Sequence, residues 1–230
     1  MHLTKTTLEK QAYAALREQI MAGHLPAGGR LLPKELAADM DISQTPVKGA
    51  LALLERDGLV EGCDRRYAVV RRFSPTDVMN IYAARQLVEL EAAALGLASG
   101  RCNAEFLAAM ESLLVEQGAQ ADLGTQEGLA EVVRLDREFH ELIVSLSDNP
   151  VLKDWHRALM WQTHTLRIYS LHDYGFGRAR TEHCDIIDAF RGGDTAVVTR
   201  VLRHHLEESR ADMLLRISQT KPAKPGSPSA

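Results

Sequence analysis

Cysteine is scarce in this chain: three residues in 230, Cys63, Cys102 and Cys184, scattered, odd in number and without CxxC spacing. A disulfide framework and a cysteine-bound zinc site are therefore not expected, and a reducing cytoplasm is the natural location. Long hydrophobic runs are absent too. No stretch reaches 18 apolar residues and no short apolar segment follows a basic N-terminus, which argues against a membrane span and against an export signal. Nor does one sign of charge dominate, with 27 Lys+Arg against 31 Asp+Glu and a net charge of -4. Residues 1–72 hold 11 of those bases against 9 acids, so the surplus of bases lies at the N-terminal end. An electrostatic partner such as nucleic acid is expected there, bound weakly by one copy and better by two.

With 45% hydrophobic residues in 230, the chain can bury a substantial core and is long enough for two domains. Its N-terminal part is the more explicit. Leu8 to Ala22 reads as an amphipathic helix, Pro26 to Pro33 as a punctuated loop, Lys34 to Met40 as a second short helix, and Asp41-Ile42-Ser43 as a tight connection. A third helix begins at Ser43 or Thr45, either of which can cap it, with Pro46 in its first turn. Val47, Ala50, Leu51 and Leu54 form its apolar face, leaving Gln44, Thr45 and Lys48 outside until Gly58 stops it. Amide, hydroxyl and amine groups at the positive end of a helix dipole suit phosphates and base edges. Two short helices joined by a tight turn form a helix-turn-helix, and Lys34 and Ser43 join the DNA-facing set. Leu59-Val60-Glu61 and Tyr67 to Val70 read as strands, with Cys63 to Arg66 as the hairpin tip, presenting Arg65 and Arg66 to the DNA backbone or minor groove.

On these motifs, residues 5–72 resemble the winged helix of the GntR family of bacterial transcription regulators. That family combines a Pro-Gly loop, a Ser-Arg-Thr-Pro-Val-Arg-Glu-Ala-Leu helix and a Leu-Glu-x-x-Gly-Leu-Val ending. Here Gln44 and Lys48 stand at arginine positions, Gly49 replaces a glutamate and Arg66 falls near a common glycine. A bidentate Arg–guanine contact is worth roughly 1–3 kcal/mol of discrimination, so the mode of binding carries over from the family and the operator sequence does not.

From residue 73 to about 217 the pattern is helical, over about 75–99, 103–118, 127–147, 150–172, 178–191 and 194–217, broken at Asn149-Pro150, Gly175-Phe176-Gly177 and Gly192-Gly193-Asp194. The fold expected is mainly α: a winged helix-turn-helix over 1–72, then an all-α antiparallel helical bundle over 73–217 and a disordered tail over 218–230.

Four polar residues fall on apolar faces of the bundle. Asp136 and His140, four apart, sit amid Leu129, Val132, Val133, Ile143 and Leu146; His183 precedes Ile186, Ile187 and Phe190; His205 follows Val198, Val201 and Leu202. A buried carboxylate without a partner is expensive, and facing helices in a bundle core bring metal ligands together. Taken singly, each histidine reads more readily as a hydrogen-bonded core residue than as a ligand, and His204 has a similar claim to His205. Residues 73–217 resemble the FCD ligand-binding domain of one GntR subfamily, through Asp136-x-x-x-His140, His183 before Ile-Ile-x-Ala-Phe, Gly193-Asp194 and His205-Leu206. That resemblance implies that Asp136, His140, His183 and His205 bind one divalent metal, and it selects His205 over His204. Imidazole and carboxylate suit zinc, nickel, manganese or iron. Arg85 matches a family arginine near the effector cavity and would pair with a small carboxylate, although a salt bridge to Glu89 is an equal reading.

The function expected is a homodimeric, cytoplasmic, effector-responsive regulator, a repressor by family analogy, with a double-stranded DNA operator as partner. The alternative is a metal-dependent hydrolase using the Asp and three His. Against it, no Glu stands beside the ligands as in HExxH, Glu141 and Glu182 are expected to face away, and no Gly-rich phosphate loop is present.

Overall fold

The computed structural model describes residues 7–64, 66–170 and 176–219, with the backbone alone at 63, 64 and 176. Nine helices and a three-stranded sheet account for most of the described residues. The first helix, α1 (Leu8–Met21), starts where the Thr7 side chain accepts from the Lys10 amide and buries Ala12, Leu16 and Ile20. Arg30–Leu31 forms a short strand, β1, followed by α2 (Pro33–Asp39) and α3 (Gln44–Arg56). Helix α3 buries Val47, Ala50, Leu51 and Leu54 against α1, and Gly58, at a φ of 74°, reverses the chain into β2 (Val60–Asp64). Strand β3 (Tyr67–Val70) pairs antiparallel with both others, giving the order β1-β3-β2.

Three details differ from the sequence reading. Arg30 and Leu31 lie within the expected loop, yet they pair with Val69 and Ala68, a strand too short to show periodicity. The hairpin is tighter than expected because β2 continues to Asp64, with an irregularity between Glu61 and Asp64. Ser43 occupies the N-cap position of α3 but its side chain makes no capping bond.

Six helices follow: α4 (Pro75–Ala98), α5 (Ala104–Asp122), α6 (Gln126–Ser145), α7 (Pro150–Ser170), α8 (Phe176–Gly192) and α9 (Thr195–Gln219). Their starts carry local signals. Ser74 and Asp77 form a reciprocal capping box at α4, and the side chains of Asn103, Thr125 and Asn149 accept from amides of the first turns of α5, α6 and α7. Helix α5 runs past the expected 118, and α9 continues through 218 and 219, where a tail was expected; the rest of that tail lies outside the described residues. The Gly175-Phe176-Gly177 break is later than it should be, since α8 already includes Gly177.

One core joins Phe106, Met110, Phe139, Ile143, Ile187, Phe190 and Leu202 from α5, α6, α8 and α9. Gly96 allows α4 to cross α6 closely, because a Cβ there would overlap the Leu146 side chain. A second core lies among α1, α2, α3 and the sheet, and Trp161 and Tyr169 of α7 pack against it. Helix α7 therefore borders both halves. No helix among the described residues is long and apolar enough to cross a membrane.

Candidate metal centre and nucleic-acid interface

Helices α6, α8 and α9 bring His140, His183 and His205 together in the bundle core, each at most 1% exposed, with ligand nitrogens within 4.8 Å of one another. His204, the competing residue one position earlier, is exposed. Asp136, one turn before His140, is equally buried, and its Oδ1 lies 3.6 Å from His183 Nε2.

The outward nitrogen of each ring is engaged by another side chain. Glu89 Oε2 lies 2.7 Å from His140 Nδ1, Glu182 Oε2 lies 2.7 Å from His205 Nδ1, and Gln117 Oε1 lies 3.3 Å from His183 Nδ1. Since these oxygens accept, each Nδ1 carries the proton and each Nε2 is left with a lone pair facing the centre. His140 Nε2 and His205 Nε2 are only 3.2 Å apart. A direct hydrogen bond there would require one ring to be an imidazolium, and burial pushes the pKa of both rings below the ordinary histidine value. Two nitrogens sharing one cation at about 2.1 Å are roughly 3.0–3.4 Å apart. The separation fits a metal between them. His183 Nε2 and Asp136 Oδ1 are buried without a hydrogen-bond partner, as expected of donors reserved for a cation.

The surrounding charges come as three pairs. Arg85 Nε donates to Glu89 Oε1 at 2.7 Å, Arg178 pairs with Glu182 at 2.9 Å, and Arg167 donates to Asp136 Oδ2. Although desolvation opposes ionisation of Asp136 and Glu89, the neighbouring cations and histidines outweigh it and both carboxyls are held below their usual range. Arg85 is fully buried, and its Nη1 and Nη2 have no acceptor, nor has the Tyr82 hydroxyl, whose ring lies 5.1 Å from the Arg85 guanidinium.

Gln117 and Arg167 escaped the sequence reading because each acts across helices, with no local pattern to mark it. The Arg85–Glu89 pair expected from its i,i+4 spacing is formed, whereas the contact of Glu89 with His140 crosses helices and was not foreseen. The expectation for Glu182 was wrong. It was placed facing away, but its side chain is 13% exposed and reaches His205 on α9.

At the other end, Gln44, Thr45 and Lys48 are exposed on the first two turns of α3, with Ser43 just before them, Lys34 on α2 and Arg66 after the hairpin tip. Arg65 lies outside the described residues. Gly49 faces α1, and a Cβ there would require the flexible Glu9 side chain to move aside.

Residues 8–70 match the family of bacterial regulatory proteins described as the gntR family, and residues 80–208 match the FCD domain. The chain is 33% identical over 144 residues, 63% of its length and 62% of the relative's, to the uncharacterized HTH-type transcriptional regulator YdhC of Bacillus subtilis (strain 168); that match spans somewhat less than two thirds of the relative. It is 27% identical over 205 residues, 89% of its length and 88% of the relative's, to a probable D-xylose utilization operon transcriptional repressor of Paenarthrobacter nicotinovorans. Among solved structures, E. coli McbR/YncC aligns with a TM-score of 0.76 at 22% identity, over 93% of this chain and 100% of that one, a likeness of fold.

Proposed function

The chain belongs to the GntR family of bacterial regulatory proteins and carries an FCD domain, and we propose that it is an operator-binding repressor controlled by a small organic acid held beside a divalent metal. The family is one of DNA-binding regulators and not of enzymes. The observation that carries the sensor part of the reading is the inward set of His140, His183 and His205 Nε2 with Asp136 Oδ1, whose outward atoms are already held by Glu89, Gln117, Glu182 and Arg167. These ligands suit zinc, nickel, manganese or iron equally.

Charge balance supports the effector class. In the buried site Arg85 and Arg167 are matched by Glu89 and Asp136, while the partly exposed Arg178 is shared among Glu182, Glu208 and Asp212, so a divalent cation adds positive charge to a site already balanced. A carboxylate effector offsets that charge. The unpaired Nη groups of Arg85 are the donors for it. At the DNA end, a homodimer would present two copies of α3 to half-sites, with Lys34, Ser43, Gln44, Thr45, Lys48, Arg65 and Arg66 as the contacting residues. The effector can change operator affinity only by binding one arrangement of the two winged helices better than the other.

The test is metal content by elemental mass spectrometry of natively purified protein and of a His140→Ala/His183→Ala variant. About one divalent metal per chain, lost in the variant, is the expected result. No metal in either, even after supplying zinc or nickel, overturns the sensor site and leaves the family's DNA-binding role untouched.

A further inference from the structure

We propose that the outer face formed by α4 and α7 is where a second copy of this chain docks, in a two-fold pairing that fixes the distance between the two DNA-reading heads. The inference rests on the operator-binding reading above, which needs two copies of α3. Exposed on this face are Leu87 and Leu95 of α4, at 77% and 39%, and Val151 and Trp155 of α7, at 51% and 62%. Leu87, Glu91 and Leu95 recur every four residues and lie along one strip of α4, as Val151 and Trp155 do on α7. The strips adjoin. Val88 and Ala92 pack with Leu152 and Leu159 between the two helices. The Glu89–His156 contact at 3.1 Å and the Arg101–Asp148 pair at 3.6 Å set the helices antiparallel, with Val151 and Trp155 level with Leu95 and Glu91.

Helix α4 lacks the solvated side of an ordinary surface helix. Between Asp77 and Arg101 the chain carries three charged residues. Arg85 and Glu89 are fully buried, so Glu91 is the one charge on the outer side. A helix apolar on both sides belongs inside an assembly, and a contiguous exposed apolar face marks an interaction surface. Three observations name the partner. From residue 73 onward the chain has 16 Lys+Arg against 22 Asp+Glu, so two helical halves repel over most of their surface and meet most readily at a face nearly free of charge. Two adjacent helices give a face about 20 Å wide and about 30 Å long, of the order of the roughly 800 Å² per partner that a stable dimer covers. Both helices also hold the head: α4 follows the linker through the Arg71–Asp77 pair, and Trp161 and Tyr169 of α7 pack against the head's core. An isologous pairing through them sets where the two α3 helices stand. A foreign protein on the same face would leave one weakly basic head alone on DNA.

The test is sedimentation equilibrium of the full-length protein at micromolar concentrations, where the wild type is expected to be a dimer. Leu87→Glu and Trp155→Glu should each weaken association at least about a hundredfold, with unchanged far-ultraviolet circular dichroism. Val115→Glu, at a residue of α5 that is 74% exposed, should leave the dimer intact. A monomeric wild type, a dimer left intact by either of the first two variants, or a dimer broken equally by Val115→Glu overturns the proposal. Gel shifts of the same wild-type sample on a duplex selected from a randomised pool keep the two readings apart. Selective binding by a dimer that the face variants do not disturb strikes this face alone. Absence of selective binding strikes the operator reading and leaves the sedimentation result to decide the face.

Discussion

At the scale of single residues, Glu89 carries more of the centre than its place in an i,i+4 pair suggests. It accepts from Arg85, His140 and His156 at once, from full burial. Glu89→Gln keeps the shape and removes the charge, leaving Arg85 buried without its counter-ion. A stability loss of about 3–5 kcal/mol in urea titration is expected, with metal affinity lower by about 10–100-fold in chelator competition. His164 gives a second prediction. Its folded pKa of about 4, set by burial, lies below the ordinary 6.5, so between these values the unfolded chain binds the extra proton. Stability attributable to this residue is intact above pH 6.5 and falls as pH drops through that window, by about 3 kcal/mol at the low end. His164→Gln, which still offers an N–H to Met21, should flatten that part of the pH profile in denaturant titrations at pH 4 to 7. Helical period places Asp136, His140, His183 and His205 on apolar faces, and all four are buried, but period alone does not separate His205 from His204; that choice and the common metal come from the resemblance to the FCD domain. Their supports were not legible in the sequence, because Glu89, Gln117 and Arg167 meet them only after helices distant in sequence pack.

At the scale of elements, helices are readable where punctuation is chemical. Ser74-Pro75, Asn103, Thr125 and Asn149-Pro150 all mark starts through side chains that cap. Ends are less readable: α5 and α9 run on past their expected limits because nothing in the sequence there opposes helix. Strand β1 was illegible for a different reason, since two residues acquire strand geometry only from β3. Where two helices touch closely, the sequence shows just a glycine. Gly96→Ala should destabilise the α4–α6 crossing by about 1–3 kcal/mol in thermal or urea melts, because Leu146 is fixed in the core and cannot yield. For α3 and the hairpin the expected outcomes differ in kind. Lys48→Ala and Gln44→Ala should change which operator bases are tolerated, whereas Arg66→Ala should weaken binding evenly and lower the salt dependence. Gel-shift titrations against a randomised duplex pool and against the selected site separate the two, and equal losses on both for all three variants would refute the assignment.

Across the whole molecule, a metal in the bundle core would stabilise the fold by linkage. Chelation should lower the melting temperature, by the equivalent of about 4 kcal/mol if the metal is supplied at a thousand times its dissociation constant, and re-addition should restore it. The linker between the halves is held as well, with Arg71 paired to Asp77 at 2.5 Å beside the capping box of α4. The firmer tie is α7. Trp161 meets Tyr13 edge-on at 6.3 Å, Gln162 donates to the Asp57 carbonyl at 3.0 Å, and the Tyr169 hydroxyl shares its one proton between the carbonyls of Leu25 and, at 3.1 Å, Ile20. A DNA-reading head transplanted from this chain onto another sensory body would lose those partners and leave an apolar flank bare. Successful exchange of heads between such regulators therefore demands a matching surface on the recipient's fourth bundle helix, and a cut at the linker alone makes a poor junction.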